Sequence, residues 1–255
     1  MLIRDTKHYG ITEIHADTEI FYESLEGTST IIPYSETWER ILVQVSGGLD
    51  SALMLYLISK TLNELGSKTK IIPTSFEVPT KAKNLGSARA VIKKIKELLG
   101  AQNFLDSVEV HIPIEHCTLE NKDRFFRETL VKLKKEKNLS FEFNGNTKNP
   151  PEDVRKYFRD NDDRQFYRDN RTTIYNSARS ASPHAFVTKK GIVQLYRKHG
   201  ILEELSPLTL SCDMDIQEIE ERNLPIPCGE CWWCRERRWG FESNNEVDLA
   251  KPIKT

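Results

Sequence analysis

At 255 residues the chain is long enough to bury one substantial core, with room for a small appended module. Its 38% hydrophobic and 29% charged residues suit a soluble globular protein, and no apolar run approaches the roughly 20 residues that span a bilayer. The net charge of −1 gives no global pull toward nucleic acid, and the opening MLIRDTKHYG lacks the apolar stretch of a signal peptide, so a cytoplasmic protein is expected.

Residues 1–40 hold two β-prone pieces, EIFYE and STIIP, and form an N-terminal extension to which the sequence assigns no role. Ile41, Leu42, Val43 and Val45 predict a strand buried on both faces, and Ala52 to Leu65 a helix that is apolar almost all round. Lys70 to Phe76 predicts a second strand, Ala88 to Leu99 a helix, and Val108 to Ile112 a third strand. Arg124 to Lys135 predicts another helix, and LSFEF, ending at Phe143, a short strand. That alternation marks βαβ units, so the expected fold class is α/β, a Rossmann-like parallel sheet flanked by helices. Residues 144–184 then lose periodicity and mix charged, aromatic and turn-forming residues, as substrate-side insertions do. Lys189 to Lys198 predicts a further helix. Lys93, Lys94 and Lys96, and Lys132, Lys134, Lys135 and Lys137, lie among regularly spaced apolar residues and read as solvated helix faces. Arg235, Arg237 and Arg238 form a third basic cluster.

Between the first strand and its helix lies Ser46-Gly47-Gly48-Leu49-Asp50-Ser51. Paired glycines leave a backbone free to wrap an oxyanion, and the first turn of a helix adds unpaired N–H donors with a partial positive charge. Phosphate is the natural guest. A Walker A loop would place Lys after its last glycine, and none stands here. Asp50 and Ser51 offer oxygen to a metal ion or a helix cap instead; an ordinary capped strand-to-helix turn is the bland alternative. Asp50 lies in the turn and outside the expected core.

The cysteines are clustered in a way that favours metal over disulfides. Cys228, Cys231 and Cys234 form C-x-x-C-x-x-C, Cys212 lies upstream, and Cys117 stands alone. Four thiolates can close a tetrahedron on Zn²⁺, leaving no open position for catalysis, so a structural role is expected. An iron–sulfur cluster is the competitor, although the C-x-x-x-C-P continuation of ferredoxin sites is absent from Arg235 to Gly240. Trp232, Trp233 and Trp239 read as packing around this module.

Taken together, SGGLDS at Ser46 to Ser51 and LTLSC…CGECWWCRERRWGF at Leu208 to Phe241 resemble the PP-loop ATP pyrophosphatases. Within them the chain is similar to the 7-cyano-7-deazaguanine synthases of the QueC type. SPHAFVTKKGIVQLY adds a weaker match, with Lys189 at the family's lysine position. The resemblance implies a HUP-type sheet that binds ATP and Mg²⁺. ATP would be cleaved between the α and β phosphates, a carboxylate adenylated, and the adenylate converted with ammonia to an amide and then a nitrile. It implies phosphate binding by Ser46, Gly47, Gly48, Leu49, Asp50 and Ser51, with Ser46, Asp50, Ser51 and Lys189 as catalytic groups. Cys212, Cys228, Cys231 and Cys234 would be the metal ligands. The implied organisation is an extension at 1–40, an ATP-binding domain at 41–206 with its insertion at 144–184, a zinc module at 207–243 and a tail at 244–255. A small-molecule carboxylate and ammonia are the expected partners, with a homodimer as the expected assembly and neither nucleic acid nor membrane involved.

The chain departs from these relatives where they carry an Arg-Asn pair and a Tyr-Pro-Asp-Cys-Arg stretch, reading NKDRFF and GNTKNPPEDVRKYF instead. Arg124, Asn146 and Asn149 are the expected acceptor-pocket residues, because they lie in segments that follow the sheet's carboxyl edge. Two other classes stay open: a tRNA sulfurtransferase using Cys117 as its reactive thiol, and a protein that binds nucleotide without turning it over.

Overall fold

The computed structural model describes residues 2–5, 16–81, 83–156, 158 and 168–250. Parts of the expected extension, insertion and tail lie outside these residues. The main sheet has the order β6-β5-β4-β7-β9-β8. It is built from β4 (Arg40–Gln44), β5 (Lys70–Glu77), β6 (Val108–His111), β7 (Phe141–Phe143), β8 (Tyr175–Ser177) and β9 (Ser180–Ala181). All neighbours are parallel except β8, which runs antiparallel on the edge. Among the described residues the elements include the α-helices α1 (Leu49–Glu64), α2 (Lys83–Leu99), α3 (Leu119–Glu136), α4 (Glu152–Arg155), α5 (Lys189–Lys198), α6 (Leu202–Leu205), α7 (Ile216–Glu221) and α8 (Trp232–Glu242).

The period of two along β4 distributes the helices. Ile41 and Val43 join the core formed by α1, α2 and α5, whereas Leu42 faces a second cluster with Ile72, Leu133 and Leu139 under α3. Helix α1 is buried on nearly every side, which is why its sequence shows no polar stripe. The fold is thus the expected α/β class: a parallel central sheet flanked by helices, with four clustered cysteines beside it. From β4 the chain winds outward through β5 to β6, then returns to place β7 on the other side of β4. The carboxyl ends of β4 and β7 therefore flank a topological switch point, the place where open α/β sheets form a ligand crevice.

Two features differ from expectation. The last part of the irregular segment is in the sheet: β9 pairs with β7, and β8 closes the edge. Strands of two and three polar-rich residues are too short to produce an alternation that sequence reading can detect. The N-terminal strands β1 (Leu2–Asp5), β2 (Thr18–Glu23) and β3 (Ser29–Tyr34) form a separate antiparallel sheet. It is tied to the main body where Ile31 N donates to the Pro183 carbonyl at 2.9 Å. No described helix is long and apolar enough to cross a membrane.

Candidate functional site

Gly47 has φ 82°, a left-handed conformation that favours glycine, and its carbonyl accepts from Leu210 N at 2.9 Å. The turn after β4 is thereby laced to the segment that leads into Cys212. At Gly48 a Cβ would meet Ser46 Oγ at 3.4 Å, an ordinary contact, so packing alone does not demand glycine there. Gly48 N donates to Ser46 Oγ at 3.3 Å and Leu49 N to Ser211 Oγ at 3.5 Å. These are long bonds to hydroxyls at the start of a sixteen-residue helix. Ser51 Oγ, 3.1 Å from Ser46 Oγ, also bonds the Gly48 carbonyl at 3.1 Å, so the two serines hold the turn closed.

Lys189 reaches this turn from 139 residues away. Its Nζ donates to both carboxylate oxygens of Asp50, at 2.6 and 2.5 Å, although the lysine side chain is only 2% exposed. A buried ammonium requires such a partner, because stripping it of water costs several kcal/mol. Thr188 caps α5 by accepting from Gly191 N, and its hydroxyl donates to Glu26 Oε1 at 2.7 Å, which links the N-terminal sheet to the lysine's helix.

His184, Tyr196, Ser211, Gly145 and Glu236 belong to the same neighbourhood and were not legible as site residues. His184 is fully buried, with Nε2 3.2 Å from the Asp50 carbonyl and Nδ1 2.7 Å from Thr30 Oγ1. A carbonyl only accepts, so Nε2 carries the proton and Nδ1 accepts from Thr30. Burial pushes this imidazole down to about 4, which keeps it neutral. Tyr196 donates to the Leu49 carbonyl at 2.8 Å, and burial pushes its phenol well above the usual range. Gly145, directly after β7, lies so close to α1 that a Cβ would sit 3.2 Å from Ser51 N and Cα. Glu236, on α8, is fully buried. Its nearer oxygen is 3.5 Å from Lys189 Nζ, and neither oxygen has a hydrogen-bond partner. Burial raises its carboxyl while the charge of Lys189 opposes the rise. The signal that could have found it is its spacing: Glu236 and Gly240, four residues apart, share one face of α8, and a Cβ on Gly240 would press against the Lys189 backbone.

The expected acceptor residues are dispersed. Asn146 is half-buried beside Gly145. Asn149 is buried and donates to Asp169 at 3.2 Å, a carboxylate that Arg155 also pairs with, so Asn149 helps close the ends of the insertion. Arg124 lies exposed on α3, with its guanidinium donating to Asn121 at 3.2 Å.

Cys212, Cys228, Cys231 and Cys234 are all buried, and their sulfurs lie within 4.8 Å of one another. Cys228 and Cys234 are 3.8 Å apart. Hydrogen bonds from Cys212, Cys231 and Cys234 hold the Cys228 thiolate well below the usual thiol range, and the same crowding, led by Cys212, pushes Cys231 and Cys234 up. Four thiolates this close need a cation, so the donor set fits a metal ion. Arg237, read from sequence as one of a basic cluster, is buried and structural. It bonds Thr209 Oγ1 at 2.6 Å, the Ser206 carbonyl at 3.1 Å and both oxygens of Asp248. Trp232 is buried with its ring edge-on to Phe158, as a packing residue would be.

No protein-family model matches this sequence, and no curated protein matches it. Among solved structures it is similar to an NAD+ synthetase from Burkholderia pseudomallei, at 12% identity and a TM-score of 0.40. That alignment covers 64% of this chain and 66% of the synthetase, just under two thirds of its length. The chain is also similar to the U34-tRNA thiolase NcsA from Methanococcus maripaludis, a structure that contains a [4Fe-4S] cluster. Here the identity is 13% and the TM-score 0.45, over 83% of this chain and 74% of that one.

Proposed function

We propose that the chain is an ATP-dependent adenylating enzyme of the PP-loop type, most similar in chemistry to the 7-cyano-7-deazaguanine synthases. The observation that carries this reading is the meeting of Lys189 and Asp50 over a glycine turn at the sheet's switch point. Gly48, where packing makes no demand for glycine, leaves bare backbone on a helix start, which suits an approaching phosphate. The amides of Gly47, Gly48 and Leu49 and the hydroxyls of Ser46 and Ser51 would bind the β and γ phosphates. Lys189 would neutralise charge developing toward the α phosphate. Asp50, a hard oxygen donor beside two hydroxyls, fits Mg²⁺, which when bound would offset the phosphate charge.

In this chemistry a substrate carboxylate oxygen attacks the α phosphorus, the bond to the bridging oxygen breaks, and pyrophosphate leaves. Ammonia then attacks the acyl carbon, AMP departs, and a proton is lost to give the amide. The amide oxygen then attacks the α phosphorus of a second ATP, pyrophosphate leaves, and loss of AMP and of both amide protons gives the nitrile. The protein supplies position and charge, which can account for most of the rate. The four-cysteine cluster is read as structural Zn²⁺: Zn–S bonds of about 2.3 Å give a tetrahedral edge of roughly 3.8 Å. The Cys228–Cys234 separation supports that geometry, whereas a cubane cluster spreads its four thiolates farther apart.

The tRNA sulfurtransferase reading needs Cys117. That half-buried thiol donates to the Pro113 carbonyl at 3.6 Å and shares a recess with Asp215, Glu218 and Glu221. Carboxylates there would repel an RNA backbone, which favours the ligase. Incubation with 7-carboxy-7-deazaguanine, ATP, Mg²⁺ and ammonia tests the reading: nitrile is expected, with turnover kept in Cys117→Ala. A persulfide trapped on Cys117 together with loss of activity in that variant would support the sulfurtransferase.

A further inference from the structure

We propose that Glu236 is a positioning residue that takes over the charge of Lys189 when Asp50 turns to the nucleotide's metal ion. This rests on the reading of Asp50 and Lys189 as parts of an ATP site.

In the structure Lys189 occupies both oxygens of Asp50, the atoms a metal ion would need. If Asp50 turns toward the metal, Lys189 is left with a buried ammonium, and removing one partner of a buried pair is among the costliest local changes in a protein. The only other carboxylate within ion-pair distance of Nζ among the described residues is Glu236, at 3.5 Å. It is fully buried and spends neither oxygen on a hydrogen bond, so it can shorten its contact to Lys189 without giving up another bond. Arg168 adds a second, more distant positive charge on Glu236 but makes no hydrogen bond to it.

Helices α5 and α8 pack closely at this point. One turn beyond Glu236, Gly240 brings α8 so close to α5 that a Cβ would lie 2.7 Å from Lys189 Cγ and 2.9 Å from its carbonyl oxygen. Glu236 therefore stays in reach of Nζ wherever the two helices move together. Asp50, on the first turn of α1, is the partner that can change its contact.

The test is calorimetric titration with α,β-methylene-ATP, which cannot be cleaved at the α–β bridge, with and without Mg²⁺. Glu236→Gln should weaken binding of the Mg²⁺ complex by at least about tenfold, the scale of one lost close charge partner. Binding of the metal-free nucleotide should change by less than about twofold, because Asp50 still serves Lys189 there. Glu236→Asp, which keeps the charge, should remain nearer the wild type. Equal binding by Glu236→Gln and wild type, or an equal loss with and without Mg²⁺, would overturn the proposal. Failure of the wild type to bind either form would overturn the ATP-site reading itself, and the inference with it. If Glu236→Gln does not keep its near-ultraviolet circular dichroism and metal content, Glu236→Met fills the same volume without a polar atom to leave unpaired, and the same two outcomes apply.

Discussion

Replacing Asp50 removes a group of the proposed phosphate site and the partner of a buried lysine in one step. Its place in a turn suggested that the fold would be indifferent to it, but the ion pair to Lys189 changes that expectation. Asp50→Ala should abolish turnover and also destabilise the protein by about 3 kcal/mol or more, because it leaves a buried ammonium with a weaker partner. In urea titrations the double variant Asp50→Ala/Lys189→Met should lose less stability than the sum of the two single variants, because Lys189→Met also strips Glu236 of its cation, and it should remain inactive; additive losses would mean that Asp50 and Lys189 are not coupled. His184 gives a pH prediction. Its folded pKa of about 4 lies below the ordinary 6.5, so between these values the unfolded chain binds more protons than the native one. Stability is then fully present above about 6.5 and falls as pH drops toward 4, by on the order of 3 kcal/mol for this group. His199 is shifted in the same direction by burial and adds to the slope. Denaturation at pH 7 and pH 5 should show the loss, and His184→Gln, which keeps a neutral donor near the Asp50 carbonyl, should reduce it.

At the scale of elements, the contact between α5 and α8 joins the cysteine module to the Lys189–Asp50 pair at the glycine turn. Gly240→Ala gains helix propensity of about 1 kcal/mol but forces a Cβ against the Lys189 backbone. Overpacking of this kind costs about 1–3 kcal/mol, so a melting temperature lower by several degrees is expected. An unchanged or higher value would mean that the two helices separate easily. The elements most clearly legible in the sequence were Lys70–Glu77, a short buried run, and the periodic helices Lys189–Lys198, α2 and α3, although α2 and α3 each begin about five residues before the expected Ala88 and Arg124. Helix α1 begins at Leu49, inside the turn motif, three residues before its apolar run suggested, since glycines and serine mask a helix start. Strand β9 was illegible because pairing with β7, not its own two residues, makes it a strand. Strands β2 and β3 were visible in EIFYE and STIIP and β1 was not; their role was hidden, since Thr30 and Glu26 act through partners about 160 residues away.

For the whole molecule, the four thiols that sequence spacing grouped do converge, because Cys212 is delivered by the same segment that bonds Gly47. The Asp50–Lys189 pair joined two motifs that could be named separately, whereas Glu236 looked like one more charge in CRERRW, its four-residue spacing from Gly240 being the one sequence signal before tertiary burial sets it apart. Purified protein should carry about one colourless zinc per chain, and Cys231→Ser should lower metal content and solubility together, because a structural metal contributes folding free energy. Iron with labile sulfide in a brown protein would replace zinc in this account. The most direct test of the central claim is the identity of the nucleotide product. With α-labelled ATP, Mg²⁺, ammonia and 7-carboxy-7-deazaguanine, chromatography should find the label in AMP, with matching pyrophosphate and none of either from Asp50→Ala. Label accumulating in ADP, with phosphate released, would contradict it.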